Sequence, residues 1–379
     1  MSDLSSQIAL AYEREHRENR APVNADDIPL SYEAITPEWL TQVLCQRYPA
    51  ARAIDYQLGA PDEGGTNRRR IMISYNDAGT AAALPSSVFC KATHQLATRQ
   101  ILASVGFIQG EVAFYRDYRA LLEIETPRCL LATYNPESYN SLIMLDDLAR
   151  AGATFCEHTT DITHRRAESQ LILMAKLHAR FHESVELRAS TLPRFDTYFH
   201  NFDLFLGMEK YCGDGFLAAE AFIPASLFKR HAEIWPATLR SVALHGELPL
   251  TFTHNDPHLR NWYIAANGEM GLADWQNFGG GHWGRDVAYT LSSSLTRENR
   301  RAWEKELLQF YLDQLRQAGG PATSFAAAFK YYRQHLFTVL AWWTSTLIVA
   351  TTQPRDATLE IIGRIATAID DLDALDSFD

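Results

Sequence analysis

The chain has 379 residues, 46% of them hydrophobic and 21% charged, and a formal net charge of −11. This is the make-up of an ordinary soluble globular protein, and the length exceeds what one core usually fills, so two lobes are expected. The acidic balance argues against nucleic acid or an anionic membrane as the main partner and leaves small molecules open.

Residues 1–30 are rich in charge and read as a loose helix or arm. Thr36-Pro37-Glu38 opens a helix that carries apolar residues at helical spacing as far as Tyr48. Three strand-like runs follow, Ile54–Leu58, Arg70–Tyr75 and Ser87–Lys91. Between the first two lies a turn containing Gly64 and Gly65, where bare backbone N–H groups could approach phosphates. It has neither the Walker pattern nor a strict G-x-G-x-x-G, and a plain hairpin loop is the competing reading. Lys91 ends an apolar strand, and Gly110-Glu111 is expected to begin a helix. Taken singly, these are a solvated edge residue and a glutamate complementing a helix dipole. Taken together, they are an ion pair that aims the lysine at nucleotide phosphates. Thr126–Leu131 and Ser141–Leu145 are further strands, and Asp146-Asp147-Leu148-Ala149 reads as the hinge between lobes. Backbone groups there could bind adenine, while the aspartates also suit turn and capping roles.

A long amphipathic helix is expected from Asp161 to Glu186, with His178 on its apolar face as a core histidine. Residues 190–245 are helical and rich in aromatics, suited either to a core or to an acceptor pocket. Thr253-His254-Asn255-Asp256-Pro257-His258-Leu259-Arg260-Asn261 follows a short strand. Asn261–Ile264 and Met270–Ala273 then flank an Asn267-Gly268 turn as a hairpin that ends at Asp274. The glycines at 279–281 read as a flexible loop, and Asp286 as a residue that caps a helix or bonds back to the preceding motif. Arg297 to Leu375 is helical, and its apolar tract Leu336–Ala350 is too short and threonine-rich to span a bilayer. Trp342-Trp343 packs a core or lines an acceptor site. Five cysteines without a C-x-x-C pair, and a start lacking the basic and apolar runs of a secretion signal, suggest reduced thiols in a cytoplasm.

The spacing 256, 261, 274 supplies what phosphoryl transfer needs. One carboxylate, Asp256, orients and deprotonates a hydroxyl, while an amide and a second carboxylate, Asn261 and Asp274, hold Mg²⁺ on nucleotide phosphates. The order H-x-D-x-x-x-x-N, then an Asp ending a short apolar strand, is that of protein kinases, with D-W-Q in place of D-F-G.

With F-C-K-A, G-E-V-A-F-Y, H-x-D-x-H-x-x-N-W and D-W-Q…G-H-W-G-R-D-V-A-Y, the sequence over about residues 50–320 resembles the aminoglycoside phosphotransferase and choline kinase superfamily. Within it the chain looks most like the bacterial branch near the ecdysteroid-kinase-like proteins. The resemblance implies an α+β, bilobal protein-kinase-like fold: an arm at 1–30, a small antiparallel-sheet lobe at 31–148 and a mainly helical lobe at 149–379. It implies Asp256 as catalytic base, Asn261 and Asp274 as Mg²⁺ ligands, and Lys91 fixed by Glu111 on the α- and β-phosphates of ATP. It further implies that Gly64, Gly65, Asp146 and Leu148 lie along the nucleotide, that His254 braces the loop and that His258 approaches the γ-phosphate. The acceptor would be a small hydroxyl compound, and the aromatic 190–245 region favours a neutral or partly apolar alcohol. An antibiotic phosphotransferase and a nucleotide-binding pseudokinase regulator are the rival readings. No serine- or threonine-rich activation segment follows Asp274 to suggest a protein substrate, and nothing in the sequence fixes an oligomeric state.

Overall fold

The computed structural model describes residues 3–349 and 353–378, with the side chain of Glu63 left aside. Ala350, the last residue of the long apolar tract, lies outside the described residues. The chain divides into two compact units, Met1–Leu121 with Pro127–Ala153, and Leu122–Thr126 with Thr154–Asp379.

The first unit is built on an antiparallel sheet. Its elements in order are α1 (Asp3–Glu18), α2 (Pro37–Leu44), β1 (Ala53–Leu58), β2 (Asp62–Glu63), β3 (Asn67–Tyr75) and α3 (Asp77–Ala81). They continue with β4 (Ser87–Ala92), α4 (Leu96–Val105), α5 (Phe107–Ala113), β5 (Cys129–Tyr134) and β6 (Ser141–Asp146). The strands lie in the order β1-β3-β4-β6-β5, with β2 paired to β3. Thr36 caps α2 by accepting from the Trp39 N–H, as the Thr-Pro-Glu start predicts. Trp39 and Leu40 pack against Ile71, Ile73, Val88, Cys90, Leu142 and Met144. Side chains alternate across a strand, so Val88 and Cys90 on this face put Phe89 and Lys91 on the other. The charged arm forms α1, which packs Ile8 against Leu102, Ala103 and Ile108.

One helix boundary differs from the expectation. The backbone turns left-handed at Gly106, φ +80°, and α5 starts immediately after it. Glu111 therefore lies late in α5 rather than in a first turn, which removes the dipole reading of that residue.

The second unit is mainly helical. It comprises β7 (Thr154–Phe155), α6 (His164–Phe181), α7 (Val185–Ala189), α8 (Phe195–Leu206), α9 (Met208–Ala218), α10 (Ala225–Lys229) and α11 (His231–Glu247). It goes on through β8 (Thr251–Thr253), β9 (Trp262–Ile264), β10 (Met270–Leu272), β11 (Gly279–Gly281), α12 (Trp283–Ser294), α13 (Arg297–Gln317), α14 (Phe325–Val349) and α15 (Arg355–Asp371). The expected single helix over 161–186 is α6 and α7, parted where Glu183 takes φ +47°. The hairpin is present as β9 and β10, closed through Gly268 at φ +86° and joined by β7. Segment Leu122–Thr126 is bonded to it: the Glu125 carbonyl accepts from the Leu272 N–H at 3.1 Å, and the Thr126 hydroxyl donates to the Leu272 carbonyl at 2.7 Å.

The glycines at 279–281 are not a flexible loop. They form β11, a buried strand paired with β8. A Cβ at Gly279 would lie 2.5 Å from the Pro193 carbonyl oxygen, and one at Gly281 would lie 2.6 Å from Thr253 Oγ1. Close backbone approach, not mobility, is why glycine stands there. Among the described residues the five cysteines are free thiols, and no helix is long and apolar enough to cross a membrane.

Candidate active site

The loop between β8 and β9 hangs on a carboxylate from the next helix. Asp286, in the first turn of α12, accepts from the His254 N–H at 2.7 Å and from the Asn255 N–H at 2.9 Å. Its side chain is fully buried. Burial pushes the Asp286 carboxyl up, but the bond from His178 together with the charges of His178, His254 and Arg285 prevails and holds it below the usual carboxylate range. His178, expected to be a satisfied core histidine, is one, bridging Asp286 at 3.3 Å and the Tyr311 hydroxyl at 2.9 Å. Of the two structural roles open to Asp286, the bond back to the loop is the one observed.

His254 links the loop to the hairpin. Its Nδ1 accepts from the Asp256 N–H at 3.2 Å, so Nε2 carries the proton and donates to the Ala273 carbonyl at 3.0 Å. Asn261 adds two ties: its Nδ2 donates to the Asp256 carbonyl at 2.9 Å, and its own carbonyl accepts from the Ala273 N–H at 2.9 Å. Residues 256, 261 and 273–274 are thereby locked together, and Asp274 is near enough that its charge acts on both Asp256 and His258. Asn255 and Asp274 take left-handed conformations, φ +66° and +61°. Each costs roughly 1–2 kcal/mol for a residue with a side chain, a strain that clusters at functional sites.

Asp256 is 8% exposed and accepts a 2.8 Å hydrogen bond from the Tyr289 hydroxyl on Oδ1. Burial lifts its pKa to about 7; the charges of Asp274 and Asp286 add to this, while Tyr289 and Arg285 oppose it. A carboxylate that titrates near neutrality suits a general base. His258 Nε2 lies 3.7 Å from the other oxygen of Asp256, and burial depresses its pKa to about 3, so the imidazole is neutral. Trp343 of α14 meets the His258 ring edge-on at 5.3 Å.

Sequence reasoning missed Tyr289 and Arg285 as members of this site. Arg285 is fully buried, donates to the Asn255 carbonyl and lies 4.0 Å over the Phe195 ring. The signal was present in the spacing: Asp286 and Tyr289 are three apart on α12 and share one face of it.

In the first unit, Lys91 Nζ lies 2.6 Å from Glu111 Oε2, and both residues are buried. Asp146 pairs with Arg128, and Asp147 is bound by Arg70 and Ser87. The Asp147 carbonyl closes a turn by accepting from the Arg150 N–H, neither aspartate caps a helix, and the ion pairs were not among the roles read from the sequence. The Leu148 carbonyl accepts from the Ala153 N–H at 3.0 Å. A Cβ at Gly65 would meet nothing within 4 Å, whereas one at Gly64 would meet only the flexible Arg68 side chain. Neither glycine is required by the fold itself.

Among the described residues no group of three or more His, Cys, Asp or Glu could hold a metal ion. The expected magnesium pair is of another kind, one carboxylate and one amide, few protein oxygens as Mg²⁺ prefers. Asn261 fits, since its Nδ2 is spent on the loop and its Oδ1 remains as a ligand oxygen.

The antiparallel sheet with its lysine–glutamate pair, and the helical unit with its histidine-braced loop, define a protein-kinase-like fold. Residues 97–323, well over half of the chain, match the phosphotransferase enzyme family, and the chain belongs to that family. It is an enzyme that uses ATP to phosphorylate a hydroxyl group of a small molecule. Among solved structures, a microcompartment-associated aminopropanol kinase is similar over 83% of this chain and 90% of its own, at 12% identity and a TM-score of 0.50. The ethanolamine kinase of Plasmodium vivax matches 99% of this chain and 96% of its own at 8% identity and TM-score 0.48. A macrolide 2'-phosphotransferase of Brachybacterium faecium matches 93% and 97% at 11% identity and TM-score 0.46. Comparison with curated protein sequences finds no match.

Proposed function

We propose that the enzyme transfers the γ-phosphate of ATP to the hydroxyl of a small, neutral or partly apolar alcohol, with Asp256 as the base. The observation that carries this reading is the buried Asp256 carboxylate, held by Tyr289 and the His254-braced loop and titrating near neutrality. The acceptor oxygen bonds to the γ-phosphorus as the bond to the β–γ bridging oxygen breaks, ADP leaves, and the hydroxyl proton passes to Asp256. Lys91, aligned by Glu111, lies against the α- and β-phosphates, and the turn at Gly64 and Gly65 covers them, with the Gly65 N–H as donor, since the Gly64 N–H already donates to the Thr66 carbonyl at 3.2 Å. Backbone groups from Asp146 to Leu148 take adenine. Asn261 and Asp274 would hold Mg²⁺, which when bound offsets phosphate charge. His258, neutral beside Asp256, offers a ring nitrogen toward the γ-phosphate. Positioning and electrostatics supply most of the acceleration in such a transfer.

The acceptor preference rests on how four of the six carboxylates of 190–245 are used. Asp196 pairs with Arg194, Asp214 with Lys210 and Glu233 with Arg230, while Asp203 accepts from the Met208 N–H. Acids committed in this way suit a polyamine poorly. The rings of Tyr198 and Phe202 meet Trp342 at 5.6 and 5.0 Å, an aromatic wall that suits an uncharged alcohol.

Asp256→Asn should lower turnover by about 10³-fold or more and leave ATP affinity by calorimetry within about threefold. Near-normal turnover in that variant would overturn the assignment. An ATP-consumption screen over alcohols, sterols, hydroxyacyl thioesters, amino alcohols and antibiotics tests the acceptor. Preference for an aminoglycoside or macrolide would replace the neutral alcohol.

A further inference from the structure

The charged arm at the start of the chain does more than cover the first unit. Ile8, Tyr12 and Glu15 follow one another at helical spacing and share one face of α1. Each meets the segment that joins the lysine strand to the glutamate helix. Arg99, in the first turn of α4, is fully buried, and its charge is answered from the arm. Its NH1 group donates to Glu15 Oε2 at 2.7 Å, and its guanidinium carbon lies 4.9 Å over the Tyr12 ring. Glu15 also accepts from the Ser138 hydroxyl, in the turn between β5 and β6. Through Nε the same guanidinium donates to the Thr93 carbonyl at 2.7 Å. Thr93 lies just past the end of β4, two residues beyond Lys91. A run of charge-assisted bonds thus leads from the arm to the lysine strand.

The apolar half of the same face reaches the glutamate helix. Ile8 is fully buried and clusters with Leu102 and Ala103 of α4 and with Ile108 of α5. Glu111 stands three residues after Ile108 on α5. Between the two helices the chain passes through Gly106 at φ +80°, a conformation glycine adopts freely, so their angle is set by what packs across the joint. Ile8 packs there. The Gln100 amide adds a second hold on the arm, donating to the Ser5 carbonyl at 3.0 Å.

We propose that α1 is a positioning element for the nucleotide site, in which Glu15, acting through Arg99 on β4, and Ile8, acting on α5, bring Lys91 and Glu111 into register. The inference rests on the reading of Lys91 as the residue that meets the phosphates of ATP. An ion pair of 2.6 Å between a strand and a helix holds only while both are correctly placed. Loss of the Glu15 carboxylate leaves a buried guanidinium without its counter-charge, which frees Arg99 and the strand end it holds.

The test measures ATP affinity by calorimetry and melting temperature on the full chain, in Glu15→Gln, Ile8→Ala, Lys91→Met and the double variant Glu15→Gln/Lys91→Met. The Kd for ATP should rise about tenfold or more in Lys91→Met, about fivefold in Glu15→Gln and about threefold in Ile8→Ala. Because the arm acts through the lysine, adding Glu15→Gln to Lys91→Met should change Kd by less than about twofold. An arm that only stabilises the fold would lower the melting temperature and leave Kd unaltered, or would add its full factor in the double variant. Either result would overturn the proposal. Ile8→Ala leaves every charge in place and carries the same comparison if Glu15→Gln folds poorly. Wild-type ATP affinity in Lys91→Met would remove the nucleotide reading of that residue, and this proposal with it. Weakened binding in Lys91→Met with none in either arm variant would remove this proposal alone.

Discussion

Asp256 occupies a position that works against folding. Its carboxyl is lifted from 3.8 to about 7, chiefly by burial, so the folded state favours the protonated form. Such a group contributes stability below its unfolded pKa and loses it as pH rises through the folded one. Asp256→Asn should therefore raise the melting temperature, with a gain on the order of 4 kcal/mol above pH 7 that vanishes below pH 4. A gain independent of pH, or a loss, would show that desolvation does not dominate there. The same group sets activity: kcat/KM should fall as pH drops through about 7. Tyr289→Phe removes the donor that favours the ionised carboxylate. It should cost roughly 10- to 100-fold in kcat/KM and move the acid limb upward, with little change in the KM for ATP. At Gly65, alanine meets open space, so Gly65→Ala should leave stability within about 0.5 kcal/mol. If backbone N–H groups there cover phosphates, the KM for ATP rises all the same. Lys91, Glu111, Asp256, Asn261 and Asp274 were legible because their chemistry stands out against the apolar runs around them. Tyr289 and Arg285 were not, because what marks them is a bond to the Asp256 carboxylate and one to the Asn255 carbonyl, partners some thirty residues away along the chain.

Among elements, α12 positions the site. Its Asp286 fixes two backbone N–H groups of the loop, so Asp286→Ala leaves both donors buried without their acceptor. A destabilisation of about 2–5 kcal/mol is expected in thermal unfolding, with activity lost even where the chain stays folded. Strand β11 is equally constrained: Gly279→Ala forces a methyl against the Pro193 carbonyl oxygen and should cost about 1–3 kcal/mol. Strands and hairpin were readable in advance, since short apolar runs and the Asn-Gly turn are local signals. The glycine strand was misread because its cause is not local. Pro193 and Thr253, distant in sequence, supply the crowding that only glycine tolerates. The start of α5 was misplaced for a related reason, a left-handed glycine four residues ahead of where the charged motif drew attention.

At the scale of the molecule, buried neutral histidines set a lower limit on the working pH. Burial is the largest cause in each case: it depresses His94 to about 4 and His282 to about 3, and holds His245 and His335 well below the ordinary value. A folded pKa below the unfolded one means that stability is present above pH 6.5 and is lost as pH falls toward 4. Melting temperature should drop steeply between pH 6.5 and 4.5, and the slope should lessen in His282→Asn; a flat profile would show these rings to be solvated. The short excursion Leu122–Thr126 has its own consequence for anyone dissecting the chain. A fragment cut at Thr154 would lack the Glu125 carbonyl and the Thr126 hydroxyl, stripping the hairpin that ends at Asp274 of partners supplied from upstream. The helical half is thus not a transplantable cassette, and its upstream sequence is needed to complete its own hairpin.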